Sequence, residues 1–347
     1  MAMTTHQAPA RRRAAAGPGA SASSARLPPA AATMNAASRR EGASVSITFA
    51  SLYLSFMPAD LLADLSHNAL LSVTGDDAAA FLHGQFTNDV EALGVGDAQW
   101  NGWCSPKGRL LATFLLLRRP GEFLLLLPAE LAPSIAKRLS MYVLRSKVKI
   151  ADVSAQYARR GIIGSRSEPK PMRVLEKDGA IVVGLDAGRF IALMPPQGAP
   201  AANTPLDAWE LASIRAGVPT ITAATQEAFV PQMANFDLVG GVSFKKGCYP
   251  GQEIVARTQY RGGLKRRMAL AHVDGASPAP GQSVFSPAFG DQSAGTVVNV
   301  APDPAGGHDL LVVAQIESLR EGSLRLGAPD GAPIEIRSHP AAESAAQ

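Results

Sequence analysis

Between Asn68 and Val153 strand-like and helix-like apolar runs alternate in one order, and that order limits the architectures open to the chain. "NALLSVTG" (Asn68–Gly75) is apolar and β-branched and reads as a strand. "DDAAAFLHGQFTND" after it reads as a helix with Ala79, Phe81 and Leu82 on its apolar face and Asp76 as its cap. In "AQWNGWCSPKGRLLATFLLLRR" two strands meet at the turn Ser105-Pro106-Lys107-Gly108, because proline presets φ and glycine accepts the positive φ such a turn needs. "EFLLLLP" is a third strand, "AELAPSIAKRLSMYVL" a helix by its apolar spacing, and "KVKIADV" a returning strand. The order β-α-β-β-β-α-β is that of an α+β domain.

A second lobe follows, with short strands at "RGIIG", "AIVVGL" and "RFIALM" and a helix at "PLDAWELASIRAG" closed by Gly217. From Arg266 onward "RRMALAHVDG", "GQSVFS", "AGTVVNVA", "DLLVVAQIE" and "PIEIRS" alternate with Gly/Pro turns, which predicts a small barrel or sandwich. The expected division is therefore an N-terminal extension (1–55), an α+β region of two lobes (56–264, divided near residue 153) and a C-terminal β-barrel (265–340). The extension is rich in Ala, Arg, Ser, Pro and Gly, cannot bury a core, and is expected to be disordered or to precede a true start such as Met57. A bacterial, cytoplasmic protein is expected; the alternative is the mitochondrial matrix, because the Arg-rich, acid-free start of the extension also fits a transit peptide.

Charge weighs against one class of partner. The formal net charge of +4 suggests nucleic acid, but residues 1–40 hold six arginines and no acid, leaving 27 basic against 29 acidic groups in the remainder. Direct nucleic-acid binding is disfavoured for so neutral a body. The two cysteines, Cys104 and Cys248, lie 144 positions apart with no zinc-ligand spacing, so no stably bound metal and a reducing compartment are expected. The run "LLATFLLL" ends at Arg118, far short of a membrane-spanning helix, and no membrane partner is expected.

The chemistry concentrates around Cys248. Lys245, Lys246, Arg257, Arg261, Lys265, Arg266 and Arg267 surround it in sequence against the single acid Glu253, and nearby cations favour a thiolate. If Pro250-Gly251 is the turn that opens the helix "QEIVARTQY", a helix N-terminus adds to that effect. The competing reading is a buried, inert cysteine. The basic cluster is either a solvated face or an anion site, and Trp209 either core or a platform for a flat heteroaromatic. The six histidines form no local constellation, and no phosphate-binding glycine loop is present.

"KKGCYPGQEIVARTQYRG" resembles the signature K-G-C-Y-x-G-Q-E of the YgfZ family of folate-binding proteins, bacterial relatives of a mitochondrial iron–sulfur assembly factor. "FLHGQFTNDV" (Phe81–Val90), "SPKGRLLATFLLLR" (Ser105–Arg118) and "FVPQMANFDLVGGVSF" (Phe229–Phe244) agree in order. The resemblance spans roughly Ala59 to Arg337 and implies an α+β fold like the aminomethyltransferase of the glycine cleavage system. That fold is a GcvT-like folate-binding cloverleaf of two α+β lobes plus a small C-terminal β-barrel, with tetrahydrofolate in a central cavity. It further implies an accessory factor that matures or repairs iron–sulfur enzymes, including a radical methylthiotransferase of tRNA modification; partners would be those enzymes or assembly proteins. By the same resemblance Cys248 and Lys246 are the reactive pair, and Trp209, Tyr249, Gln252, Glu253 and Arg257 the cofactor-binding residues. Cys248 also becomes a candidate transient iron–sulfur ligand. Where members can carry a second Trp before the first strand, this chain has Asn68, which implies weaker stacking on that side. The alternative activity is a tetrahydrofolate-dependent aminomethyl or one-carbon transferase.

Overall fold

The computed structural model describes residues 60–260 and 263–338, so the expected N-terminal extension, the Met57 start and Arg261 lie outside the described residues. In chain order the first elements are β1 (Leu61–Asp64), β2 (Asn68–Thr74), α1 (Ala78–His83), β3 (Asp97–Cys104), β4 (Leu110–Arg119), β5 (Glu122–Pro128), α2 (Ala132–Ser140) and β6 (Lys149–Asp152). Next come β7 (Ala158–Ile163), β8 (Val174–Lys177), β9 (Ala180–Gly184), β10 (Arg189–Met194), α3 (Leu206–Arg215) and α4 (Gln252–Tyr260). The last are β11 (Arg266–Val273), β12 (Ser283–Phe285), β13 (Gly295–Pro302), β14 (His308–Gln315), α5 (Ile316–Glu321), β15 (Leu324–Leu326) and β16 (Pro333–Ser338).

The strands form two five-stranded sheets and one closed barrel. The first sheet runs β3-β4-β5-β2-β6, the second β1-β7-β10-β9-β8, and the barrel β11-β14-β13-β12-β15-β16. The first sheet is buried on both faces, which explains its near-continuous apolar runs. Along β5, Phe123, Leu125 and Leu127 point into a core shared with α1 and α2, while Leu124 and Leu126 join Val183, Ile191 and Leu193 of the second sheet. Alternate residues thus fill two cores, each fully buried Leu contributing about 1.5–3 kcal/mol.

Some local expectations were wrong in detail. Asp77, not Asp76, precedes α1, and it makes no side-chain cap. Its carboxylate instead accepts a hydrogen bond from the Lys147 amide at 2.7 Å, while Asp76 pairs with the Lys147 ammonium at 3.1 Å. The short elements β1, β8, α5 and β15 carry too few residues for a periodic signal. β1 pairs with β7, Leu62 opposite Ile162, so the second sheet takes a strand from before the first lobe as well as those after residue 153.

Helix α3 links the parts. Its buried Trp209 lies against β7, where a Cβ on Gly161 would stand 2.5 Å from a ring carbon. Leu211 and Ile214 turn toward Met268, Val298, Leu311 and Val313 of the barrel in a core that also holds Cys104 and Leu110. No helix among the described residues is long and apolar enough to cross a membrane.

Candidate functional site

Two turns read separately in the sequence touch in the structure. Gly108 (φ +68°) closes the Ser105–Gly108 turn, and Gly251 (φ +80°) stands before α4. A Cβ on Gly251 would lie 2.7 Å from the Gly108 Cα, and one on Gly108 would lie 2.8 Å from Ile254 Cβ. Only glycine allows that approach at a positive φ. Gln252, the first residue of α4, reaches back to the carbonyls of Gly247 (3.3 Å) and Lys246 (3.5 Å). The intervening loop is therefore closed on itself, with Cys248 exposed on it.

Lys246 anchors the loop from the other side. It is 8% exposed, and its ammonium donates to the carbonyls of His83 and Phe86, the latter at 2.6 Å, just beyond the last turn of α1. Carbonyls at a helix C-terminus lack internal partners and favour a cation. The ammonium also lies 4.8 Å from the centre of the Tyr249 ring. Burial draws Lys246 down to about 8, while Asp89, Glu91 and Cys248 pull the other way. Burial, and then the neighbouring Cys104, push the Tyr249 phenol up. Glu253 and Arg257 are exposed on α4.

Charge around the loop differs in space from its order in sequence. Arg267 is paired with Asp237 at 2.7 and 3.0 Å and is not free for an anion. His83, brought in by α1, sets Nδ1 3.2 Å from Asp89 and Nε2 3.7 Å from where a Cβ on Gly247 would stand. A histidine and an acid therefore adjoin the signature although no histidine lies near it in sequence. The fragment "FLHGQFTND" was the only signal, and it carries no spacing that would reveal the meeting.

Trp209 lies in a different place. It borders a cavity of about 540 Å³ whose lining includes His67, Asn68, Glu130, Glu210 and Asn299. An inner recess of about 70 Å³ continues past Trp209 to Trp100 and Arg189. Arg189 lies 6.0 Å from the Trp209 ring centre and is tied to Asp186 and to Ser213 Oγ. Tyr249, Gln252, Glu253 and Arg257 are not among the residues lining the cavity or the recess. Cys104, whose neighbour Ser105 meets Gly251, packs in one core with Leu211 and with Ile214 of the cavity wall. Trp209 stands out in the sequence as an aromatic on α3, whereas its neighbour Glu210, whose carboxyl is raised by burial and then by Asp207, carries no local signal.

One further cluster, His272, Asp303 and Asp309, has metal-ligand geometry. Its oxygens are already engaged: Arg215 reaches Asp309 at 2.7 Å and Asp303 at 2.8 Å, Arg337 reaches Asp309 at 3.0 Å, and His272 Nδ1 lies 2.7 Å from Asp309. Two guanidiniums supply the positive charge a metal would bring, so the cluster is an ion-pair seam between α3 and the barrel.

Comparison with known proteins agrees with this architecture. The family model for the GCVT N-terminal domain matches residues 59–183. An uncharacterised protein of Haemophilus influenzae is 35% identical over 215 residues, covering 60% of this chain and 72% of that protein. The tRNA-modifying protein YgfZ of Cronobacter sakazakii is 31% identical over 245 residues, covering 64% of this chain and 74% of the relative. Among solved structures, the glycine cleavage system aminomethyltransferase T from Bartonella henselae superposes with a TM-score of 0.65 at 16% identity, over 81% of this chain and 86% of that one. With a YgfZ protein 31% identical over 74% of its own length, the chain belongs to the YgfZ family.

Proposed function

We propose that this chain is a tetrahydrofolate-binding accessory factor for the maturation or repair of iron–sulfur enzymes that serve tRNA modification, with Cys248 as its working thiol. The contrast between its two thiols carries the reading. Cys104 is buried in the core, whereas Cys248 is exposed on a loop braced by Lys246, Gln252 and the paired glycine turns. A sulfur held this way is available to a partner without a change in the fold. The relatives named as tRNA-modifying proteins support the process, and two free cysteines suit a reducing compartment, the bacterial cytoplasm in this reading.

The cavity fits the pterin head of a folate: it is large enough, has Trp209 in its wall and offers a carboxylate. When bound, tetrahydrofolate supplies a reduced pterin able to carry a one-carbon unit. In this reading Trp209 bounds the pterin, Lys246 positions the thiol loop, and Tyr249 and Gln252 hold it. Glu253 and Arg257, exposed and outside the cavity lining, are left for a partner surface.

The test has two arms. Titration with tetrahydrofolate should quench Trp fluorescence saturably, and Trp209→Phe should remove most of that quenching. Cys248→Ser should keep the fold and folate binding yet fail to restore methylthiotransferase activity in a strain lacking the protein. Full restoration by that variant would end the thiol's role. The likeness to an aminomethyltransferase fold favours a second reading, a one-carbon or aminomethyl transferase. Formation of methylenetetrahydrofolate from an amine donor, unaffected by Cys248→Ser, would decide for it.

A further inference from the structure

The cavity wall offers an uneven set of polar groups. Most are spent within the protein. Ser213 Oγ donates to the Trp209 carbonyl at 3.0 Å and accepts from Arg189 at 2.9 Å. Asn299 holds both backbone groups of Thr220 at 2.9 Å, and Glu130 accepts from the Ala223 amide at 2.8 Å. The Glu210 carboxylate has no hydrogen-bond or ion-pair partner among the described residues. No lysine or arginine is among the described residues lining this outer cavity, and Arg189, in the recess, is already paired with Asp186. A half-buried carboxylate without a donor is costly, and a ligand bringing two adjacent N–H groups would offset that cost with a bidentate, charge-assisted pair.

We propose that Glu210 selects the ligand: its carboxylate pairs with the adjacent ring N–H and exocyclic amino group of a reduced 2-amino-4-oxopterin beside Trp209, and the anionic glutamyl tail stays outside the cavity. This rests on the folate reading above and names the residue that reads the ligand. The donor edge is shared by guanine, the second source of the same chemistry. A guanine nucleotide would bring phosphates that the outer cavity has no free cation to meet, which favours the pterin. Burial and Asp207 hold the Glu210 carboxyl above its ordinary range, as expected of a carboxylate waiting for donors.

The experiment is calorimetric titration of the full chain with monoglutamyl tetrahydrofolate, its pentaglutamate, p-aminobenzoylglutamate and guanosine. The wild type should bind the monoglutamate, and Glu210→Gln should weaken that binding by about 10- to 100-fold. Glu210→Asp, which keeps the charge and shortens the reach, covers the case in which the amide variant does not fold, and should weaken binding less. Weak binding of the tail fragment should be unchanged by either substitution. The pentaglutamate should bind within about threefold of the monoglutamate, with little salt dependence. Equal binding by wild type and Glu210→Gln overturns the inference and leaves the folate reading standing. Absence of tetrahydrofolate binding by the wild type overturns the folate reading itself. Guanosine binding that exceeds folate binding and is lost in Glu210→Gln overturns the pterin assignment, and a large, salt-sensitive gain with the pentaglutamate overturns the placement of the tail.

Discussion

Cys104 ends β3 beneath the Ser105–Gly108 turn, and burial pushes its thiol up to about 12. A thiol in that state is almost wholly protonated at neutral pH and is neither nucleophile nor ligand. Cys248 stands exposed. The folded chain is therefore expected to react with one equivalent of a disulfide reagent such as 5,5′-dithiobis(2-nitrobenzoate), and with a second only after unfolding in guanidinium. Rapid release of two equivalents from the folded chain would show that Cys104 is not sealed. Lys246 illustrates the same scale from the other side. Its sequence position suggests a catalytic neighbour of the thiol, yet its ammonium is committed to two carbonyls and a ring face. That geometry suits positioning rather than proton transfer.

At the scale of elements, the contact of the two glycine turns holds the start of α4 against the end of β3. Gly251→Ala would place a Cβ against the Ser105 carbonyl and the Gly108 backbone at a φ of +80°. Backbone atoms cannot yield as a flexible side chain does, and the left-handed conformation adds strain of its own. The expected loss is about 2–4 kcal/mol, read as a lowered midpoint in urea at unchanged slope. The effect should extend to function: at a temperature where the variant remains folded, iodoacetamide should alkylate its Cys248 faster than that of the wild type, because the loop loses one of its braces. A stability within about 0.5 kcal/mol of wild type would mean that the turns separate freely.

At the scale of the molecule, α3 ties the second sheet to the barrel, and its last residue, Arg215, enters the ion-pair seam with Asp303 and Asp309. Burial pulls His272 in that seam down, but hydrogen bonds to Asp309 and Asp274 outweigh it and leave the imidazole raised. A histidine bound more tightly by protons in the folded state stabilises fully below its unfolded value near 6.5, and that stabilisation is lost as pH rises through the raised folded value. The melting temperature of the wild type should accordingly fall relative to that of His272→Gln as pH is raised from about 6 to 8.5, measured at constant ionic strength. Parallel profiles for the two proteins would remove His272 from the seam's energetics.

Much was legible from the chain alone. Strand and helix periods in the first lobe, the Gly/Pro-punctuated strands after Arg266, the Ser105–Gly108 turn and the helix Gln252–Tyr260 follow from φ preferences and side-chain alternation, which act between near neighbours. The signature around Cys248 was equally local. What surrounds that signature was decided only by the tertiary structure. His83 and Asp89 reach the loop from some 160 positions away, Arg267 is withdrawn by Asp237, and Lys246 is caged by carbonyls of a distant helix end. β1 crosses to a sheet built mainly from residues after 158, and Trp209 and Glu210 line a cavity apart from the thiol. Burial and long-range pairing set these outcomes. Both depend on how sheets and helices stack, and no local pattern of residue types encodes which charged groups will meet once they do.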